Sequence, residues 1–279
     1  MSYNFPGFEL QELRRTMDIT ITTVRPFTDN DKASCIVAVM QTDKRIHPDK
    51  QRHLAFEFRA SETVFIVDDY AGERYEDYYV ESDHVPFSTQ SYLSAMKVLN
   101  PAEDKFVIHL GQLDIGQIVD RDLMAYVLQI PKEFIETEYP IQFVSIRDRH
   151  LLVPIDSLIH LQEMKPNNDL IKAICERNNC ESVYVYTGDT YNQTSEFHAR
   201  SFNPHARGKE DVVSGSGAGA LVGYWAYYNN DYLSSYIVEQ GKSEDSLSYI
   251  EVNPGKMLDD EVIIRGSAYI IKTQKASFE

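Results

Sequence analysis

The sequence predicts an α+β protein of two similar lobes, each a mixed β-sheet wrapped around one central α-helix. Two observations carry this expectation. The segment Ala218–Tyr228 has helical length and no charged residue, and Ser91–Leu99 has a single one, Lys97. A helix that is apolar on every side is buried on every side. Around each of these helices lie short β-branched runs, and the second half of the chain repeats the theme of the first.

Taken in order, residues 1–16 read as an N-terminal appendage, in which Phe8, Leu10 and Leu13 suit a short amphipathic helix. A clean strand pattern begins at Met17, itself an alternative start, with Ile19, Ile21 and Val24. Cys35–Met40 is a second strand and His47–Phe58 has helical spacing. Ser61–Val67 and the Tyr-rich Tyr75–Glu81 are strands, and Ser91–Leu99 is the first enclosed helix. Phe106–Leu110 and Leu123–Gln129 read as strands, the latter running to Pro131. The connector Phe134–Pro140 places a lobe boundary near Tyr139, giving an N-terminal lobe over 17–138 and a C-terminal lobe over 139–279. In the second lobe Ile141–Ile146, Leu151–Pro154, Ser182–Tyr186 and Phe197–Phe202 read as strands, with helices at Ser157–Met164 and Asp169–Asn178. After the second enclosed helix, Tyr232–Gln240, Ser248–Val252 and Glu261–Lys272 finish the sheet.

Composition narrows the function classes. The chain has 279 residues, 43% of them hydrophobic, enough for a sizeable core in one large domain or two lobes. Acidic residues number 43 against 27 basic ones, for a formal net charge of −16. Such a surface repels phosphate backbones and anionic lipid, so neither nucleic acid nor membrane is an expected partner. No apolar run approaches the roughly 18 residues that span a bilayer, and the N-terminus lacks the basic and apolar regions of a secretory signal. Three cysteines, Cys35, Cys175 and Cys180, make no disulfide framework or zinc motif, which points to a reducing cytoplasmic compartment. The eight histidines are scattered, and His198 and His205 fit no metal spacing. The 18 tyrosines, as in Tyr78-Tyr79, suit strands and core rather than a stacking platform.

The most informative segment runs from Arg200 to Ala220. Gly215, Gly217 and Gly219 stand at a helix start, where each glycine costs about 1 kcal/mol relative to alanine. Two compatible readings account for them: close packing of the helix inside its sheet, or close approach of a ligand to the backbone. Amides at a helix N-terminus form an anion site, and Ser214 and Ser216 add hydroxyls. A small anionic metabolite is the partner these groups suit. Gly215-x-Gly217-x-x-Ala220 matches a loose dinucleotide fingerprint, but too little chain follows for such a fold. A nucleotide-dependent enzyme is therefore the weakest reading. The nucleophile-elbow pattern G-x-S-x-G fails for lack of its first glycine.

On these residues the chain resembles the phenazine-biosynthesis isomerase family (PhzF-like), which shares the diaminopimelate epimerase fold. The resemblance runs from about Met17 to Lys272. Its most specific part is Arg200-x-Phe202-x-Pro204 followed by Glu210-Asp211-x-x-Ser214-Gly215-Ser216. Ser61-Glu62-Thr63-Val64-Phe65, Glu239-Gln240-Gly241 and Phe27-Thr28-Asp29 resemble the family's S-E-T-x-F, E-Q-G and F-T-D. The resemblance implies two pseudo-symmetric lobes, a homodimer, a biosynthetic role, and no metal or organic cofactor. It implies an isomerase that moves a proton on a small carboxylate-bearing metabolite. Glu62 would be the acid/base and Asp211 the assisting carboxylate across a cleft. Ser214, Gly215, Ser216 and Gly217, with Gln90 and Ser91 from the other lobe, would hold the substrate.

This sequence also departs from the family pattern. The family's C-G-H-A-T reads Ser88-Thr89-Gln90-Ser91-Tyr92, with Gln90 in place of histidine, and its G-N-P reads Ala33-Ser34-Cys35. The proline after E-D is Val212. A catalytically silent small-molecule-binding protein on the same fold is the alternative these departures suggest. Read without the resemblance, Glu62 is a solvated strand-start residue and Asp211 a first-turn or N-cap acid favourable to the helix dipole.

Overall fold

The structure is a computed structural model that describes residues 17–29, 31–44, 46–58, 62–68, 74–80, 106–204, 210–232, 235–257 and 260–278. Its strands form two sheets. The first has five strands: β1 (Met17–Pro26), β2 (Val37–Thr42), β3 (Glu62–Asp68), β4 (Arg74–Val80) and β14 (Ala268–Phe278), in the order β14-β1-β2-β3-β4. The second has nine: β5 (Phe106–Gly111), β6 (Asp114–Ile118), β7 (Gln142–Ser145), β8 (Arg149–Pro154), β9 (Ser182–Thr187), β10 (Phe197–Phe202), β11 (Tyr236–Gln240), β12 (Ser248–Asn253) and β13 (Val262–Gly266). Their order is β5-β13-β12-β11-β10-β9-β8-β7-β6.

The two sheets share a wiring pattern. β1 and β2 are antiparallel, β2 and β3 parallel, β3 and β4 antiparallel. β7 to β10 repeat this sequence of pairings. A parallel pair needs a helical crossover. α1 (Pro48–Phe58) supplies it in the first sheet, and α3 (Leu158–Glu163) with α4 (Asn168–Asn178) in the second. Each unit is flanked by one more antiparallel strand, β14 beside β1 and β6 beside β7. The fold is α+β and diaminopimelate epimerase-like.

Sheet membership does not follow chain order. β5 and β6 precede Tyr139 yet lie in the nine-stranded sheet, while β14 ends the chain and closes the five-stranded one.

The nine-stranded sheet is covered on both faces, which its alternating residues decide. Leu152, Tyr184, Tyr186 and Ala199 face α5 (Gly215–Asn229) and its Leu221, Val222 and Tyr224. Leu151, Val153, Val183 and Val185 face α2 (Arg121–Leu128), α3 and α4. β8, β9 and β10 are accordingly buried along nearly their whole lengths, as strands covered twice are. α5 is buried from Gly215 to Ala226, about three turns, as its lack of charge requires, while Tyr227 and Tyr228 in its last turn are exposed. The corresponding helix expected at Ser91–Leu99 lies outside the described residues, as does the appendage over 1–16.

Three sequence expectations are corrected. Leu123–Gln129 is helix α2, not a strand: Asp120 caps it by accepting from the Leu123 amide at 3.0 Å, and the buried Met124, Val127 and Leu128 have helical spacing. A short apolar run does not distinguish the two periods. Glu261–Lys272 is not one strand but the whole of β13 and the start of β14, in different sheets. β6, polar and mostly exposed, was not anticipated at all.

Candidate active site

The candidate site is built where β8 and β9 begin and β10 ends. β8 and β9 are parallel with His150 opposite Ser182, and β10 is antiparallel to β9 with Phe202 opposite Val183. Asp148, Glu181 and Asn203 therefore emerge together at one end of the sheet.

The motif from Arg200 to Ser216 delivers the rest. Arg200 is buried, and its guanidinium grips Glu210 bidentately, Nε to Oε1 at 2.7 Å and Nη2 to Oε2 at 2.8 Å. Its Nη1 donates to the carbonyl oxygen of Leu161 at 2.8 Å. The charge is thus fully employed in fixing where the chain re-enters the site, as a buried ion pair must be. Next to it the Asp211 amide donates to the Ser201 carbonyl at 2.8 Å. This bridge turns the Asp211 carboxylate inward, where Oδ2 accepts from Asn203 Nδ2 at 3.0 Å and Ser201 Oγ at 3.4 Å.

Gln240 ties Asp211 to the tip of α5. Its Nε2 donates to the Asp211 carbonyl at 3.0 Å, and its Oε1 accepts from the Ser214 amide at 3.1 Å and the Tyr184 hydroxyl at 3.0 Å. At that tip Ser214 is the N-cap, its Oγ accepting from the Gly217 amide at 3.1 Å. The Ala218 amide goes to the Ser214 carbonyl. Of the amides at this helix end, those of Gly215 and Ser216 have no such partner among the described residues. The expectation that Gly217 also offers a free amide is corrected: its N–H is taken by the cap.

The glycines also serve packing. A Cβ on Gly217 would stand 2.5 Å from the Tyr184 ring, and one on Gly215 would stand 2.7 Å from Ile264. The packing reading thus holds at both positions, beside the open amides of Gly215 and Ser216.

Ser216 Oγ is not idle either. It lies 3.1 Å from His150 Nε2, whose Nδ1 is 2.9 Å from Ser182 Oγ, and it bonds the Asp148 carboxylate. His150 is wholly buried, and burial depresses it to about 4, so it is neutral near neutral pH.

Burial pushes the Asp211 carboxyl up to about 6, against the hydrogen bonds from Asn203 and Ser201 that favour its charged form. Burial pushes Glu181 further, to about 7, with Asn203 opposing and the charges of Asp148 and Asp211 adding to the rise. Asp148 is raised by burial as well, opposed by Ser216 and Arg147. Carboxyls of this kind exchange protons near neutrality, which is what acid/base chemistry requires.

Of the other sequence-predicted residues, Glu62 opens β3 between Val37 of β2 and Val80 of β4. Its side chain, and all of Gln90 and Ser91, lie outside the described part of the structure. Asp148, His150, Glu181 and Asn203 were not anticipated, though an acidic residue just before each of two adjacent parallel strands was a readable signal. Among the described residues no group of three or more His, Cys, Asp and Glu side chains could hold a metal ion. No helix there is long and apolar enough to cross a membrane.

Comparison with known proteins decides the family. The family described as phenazine biosynthesis-like protein, PhzC/PhzF, matches residues 112–274, more than half of the chain. The chain belongs to the PhzC/PhzF family. An uncharacterised isomerase of Clostridium acetobutylicum is 25% identical over 203 residues, 69% of this chain and 67% of that protein. In fold, this PhzC/PhzF chain is similar to a PhzF-family phenazine biosynthesis protein of Bacillus anthracis, with TM-score 0.75 at 19% identity over 93% of this chain and 99% of that one. It is also similar to a predicted epimerase of Pseudomonas aeruginosa, with TM-score 0.72 at 16% identity over the same shares. The family's R-x-F and E-D motifs acquire distinct physical roles here: Arg200 and Glu210 are a clamp, and Asp211 is the acid that the clamp positions.

Proposed function

We propose that this protein is a cofactor-independent isomerase that moves a proton on a small carboxylate-bearing metabolite. The observation that carries the reading is the Asp211 carboxyl, raised to about 6 and tied through Gln240 to a helix tip with two open amides. The amides of Gly215 and Ser216 receive the substrate carboxylate, where the helix dipole favours negative charge. Asp211 faces the carbon from the C-terminal lobe and exchanges a proton with it. Glu62 is the second acid/base group, from the N-terminal lobe, with Gln90 and Ser91 donating hydrogen bonds to the substrate. One carboxylate takes the proton from carbon while the other, protonated beforehand, delivers its own proton to carbon, and exchange with solvent water resets both acids, so atoms and charge balance. The reading includes a homodimer and a cytoplasmic location, the latter supported by three free cysteines.

Incubation of candidate carboxylate metabolites in D₂O tests it. Solvent deuterium is expected to enter carbon, and Glu62→Gln and Asp211→Asn are expected to slow that entry. Full exchange in Glu62→Gln would overturn the assignment of Glu62. Ligand-induced stabilisation with no deuterium entry across the panel would favour a silent binding protein, for which the replacement of the family histidine by Gln90 is the motive.

A further inference from the structure

We propose that Glu181 is a positioning residue that sets the charge on Asp211 through the shared side-chain amide of Asn203. The proposal rests on the reading of Asp211 as an acid/base group, and adds a residue that neither the sequence motifs nor the family resemblance supplied.

The geometry is a bridge. Asn203 is buried, and its single Nδ2 donates to Glu181 Oε1 at 2.8 Å and to Asp211 Oδ2 at 3.0 Å. An amide NH₂ has two hydrogens, and these two carboxylates take them. The two acids are thus fixed on either side of one nitrogen, and neither can leave without stranding a buried donor. Glu181 itself is fixed in the backbone, its amide donating to the Arg149 carbonyl at 2.7 Å.

Two carboxyls so placed cannot ionise independently, and their protons leave in two steps that belong to the pair. Other charges around them reinforce this. Glu210 adjoins Asp211, and Asp148 faces Glu181. Arg147 acts on Asp148 and Arg149 on Cys180, the residue before Glu181. Glu210 is already neutralised by Arg200. His150 is neutral, the hydrogen bond with Cys180 together with burial raises the Cys175 thiol, and burial raises the Tyr184 hydroxyl, so none of these three carries charge near neutrality. The two acids on either side of the Asn203 amide therefore titrate as a pair. Burial raises both acids, and neighbouring charge adds to the rise, so between about pH 6 and 7 the pair holds one proton. The pocket meets an anionic substrate with one negative charge at this bridge instead of two.

Carbon-13 NMR of the protein labelled at the aspartate carboxyl reads this directly, with the Asp211 signal identified by its loss in Asp211→Asn. In the wild type that signal is expected to shift in two steps with pH, the upper one tracking Glu181. In Glu181→Gln, which keeps the acceptor for Asn203 but no charge, the upper step should vanish. The midpoint should then fall by about one pH unit, the scale at which coupled sites titrate as a pair. A single wild-type step, or an unchanged Asp211 midpoint in Glu181→Gln, would overturn the proposal. The wild-type titration decides alone if the variant does not fold. Because no substrate is involved, coupling found without deuterium exchange would remove the isomerase reading and leave the bridge standing.

Discussion

At the residue scale, Asp211 combines two properties that rarely coincide: it is fixed by three neighbours, and it is poised near neutrality. Asp211→Asn keeps the shape of the site and the bond from Asn203 becomes a clash of two amides that one flip relieves. Turnover is expected to fall by about 10²–10⁴, the usual loss for a positioned acid/base group, while the far-UV spectrum stays native. An undiminished rate in purified Asp211→Asn would remove it from the chemistry. His150 offers a stability test of opposite sign to the carboxyls. Its folded value lies below its unfolded one, so the unfolded chain binds more protons between about pH 4 and 6.5. Its contribution is complete above that window and is lost as pH falls through it. Asp211 and Glu181 have raised values, so their contribution is complete at low pH and is lost as pH rises through about 6 and 7. Urea midpoints of His150→Gln are expected to fall less steeply than the wild type between pH 6.5 and 4; parallel curves would show that His150 is already paired with a proton.

At the element scale, α5 was the most readable part of the chain. Eleven residues without charge announced a buried helix, but its cap was not foreseen: Ser214, expected as a hydroxyl donor to a ligand, caps it, and its last turn with Tyr227 and Tyr228 is exposed. What the sequence left open was the choice between packing and ligand at each glycine. The structure distributes the answer: Gly217 meets the Tyr184 ring and spends its amide on the cap, while Gly215 packs and keeps its amide. Gly217→Ala therefore overpacks against a buried ring whose hydroxyl is anchored on Gln240. A loss of about 1–3 kcal/mol is expected, read as a lower urea midpoint. Because Gln240 also holds Asp211, activity should fall with it. An unchanged midpoint would mean that Tyr184 has room to move. α2 shows the opposite case, where six apolar residues in a row said nothing of period and only the Asp120 cap, a one-residue signal, marked a helix.

At the scale of the whole molecule, the two sheets exchange strands. β14 pairs along the full length of β1, from Met17 opposite Phe278 to Pro26 opposite Ala268. Deleting residues 268–278 would expose that edge of β1 and remove a strand from the sheet that carries Glu62. Limited proteolysis of the truncated chain, followed by mass spectrometry, is expected to show new cuts within 17–29 while the segment 142–202 stays protected. Protection of both regions would show that the five-stranded sheet holds without its last strand. The homodimer is tested at this scale as well, by sedimentation of the intact chain, where a monomer at micromolar concentration would refute it.

The sequence by itself determined what depends on neighbours in the chain: most strand periods, the buried character of α5, and the motif that names the family. It also singled out Asp211, because a local signature surrounded it. Only the tertiary structure decided what depends on distant partners. Asp148, Glu181 and Asn203 lie far apart in the chain and meet because β8, β9 and β10 are neighbours at one sheet end. The raised carboxyls follow from burial and mutual charge, quantities that exist only after the chain has closed around them.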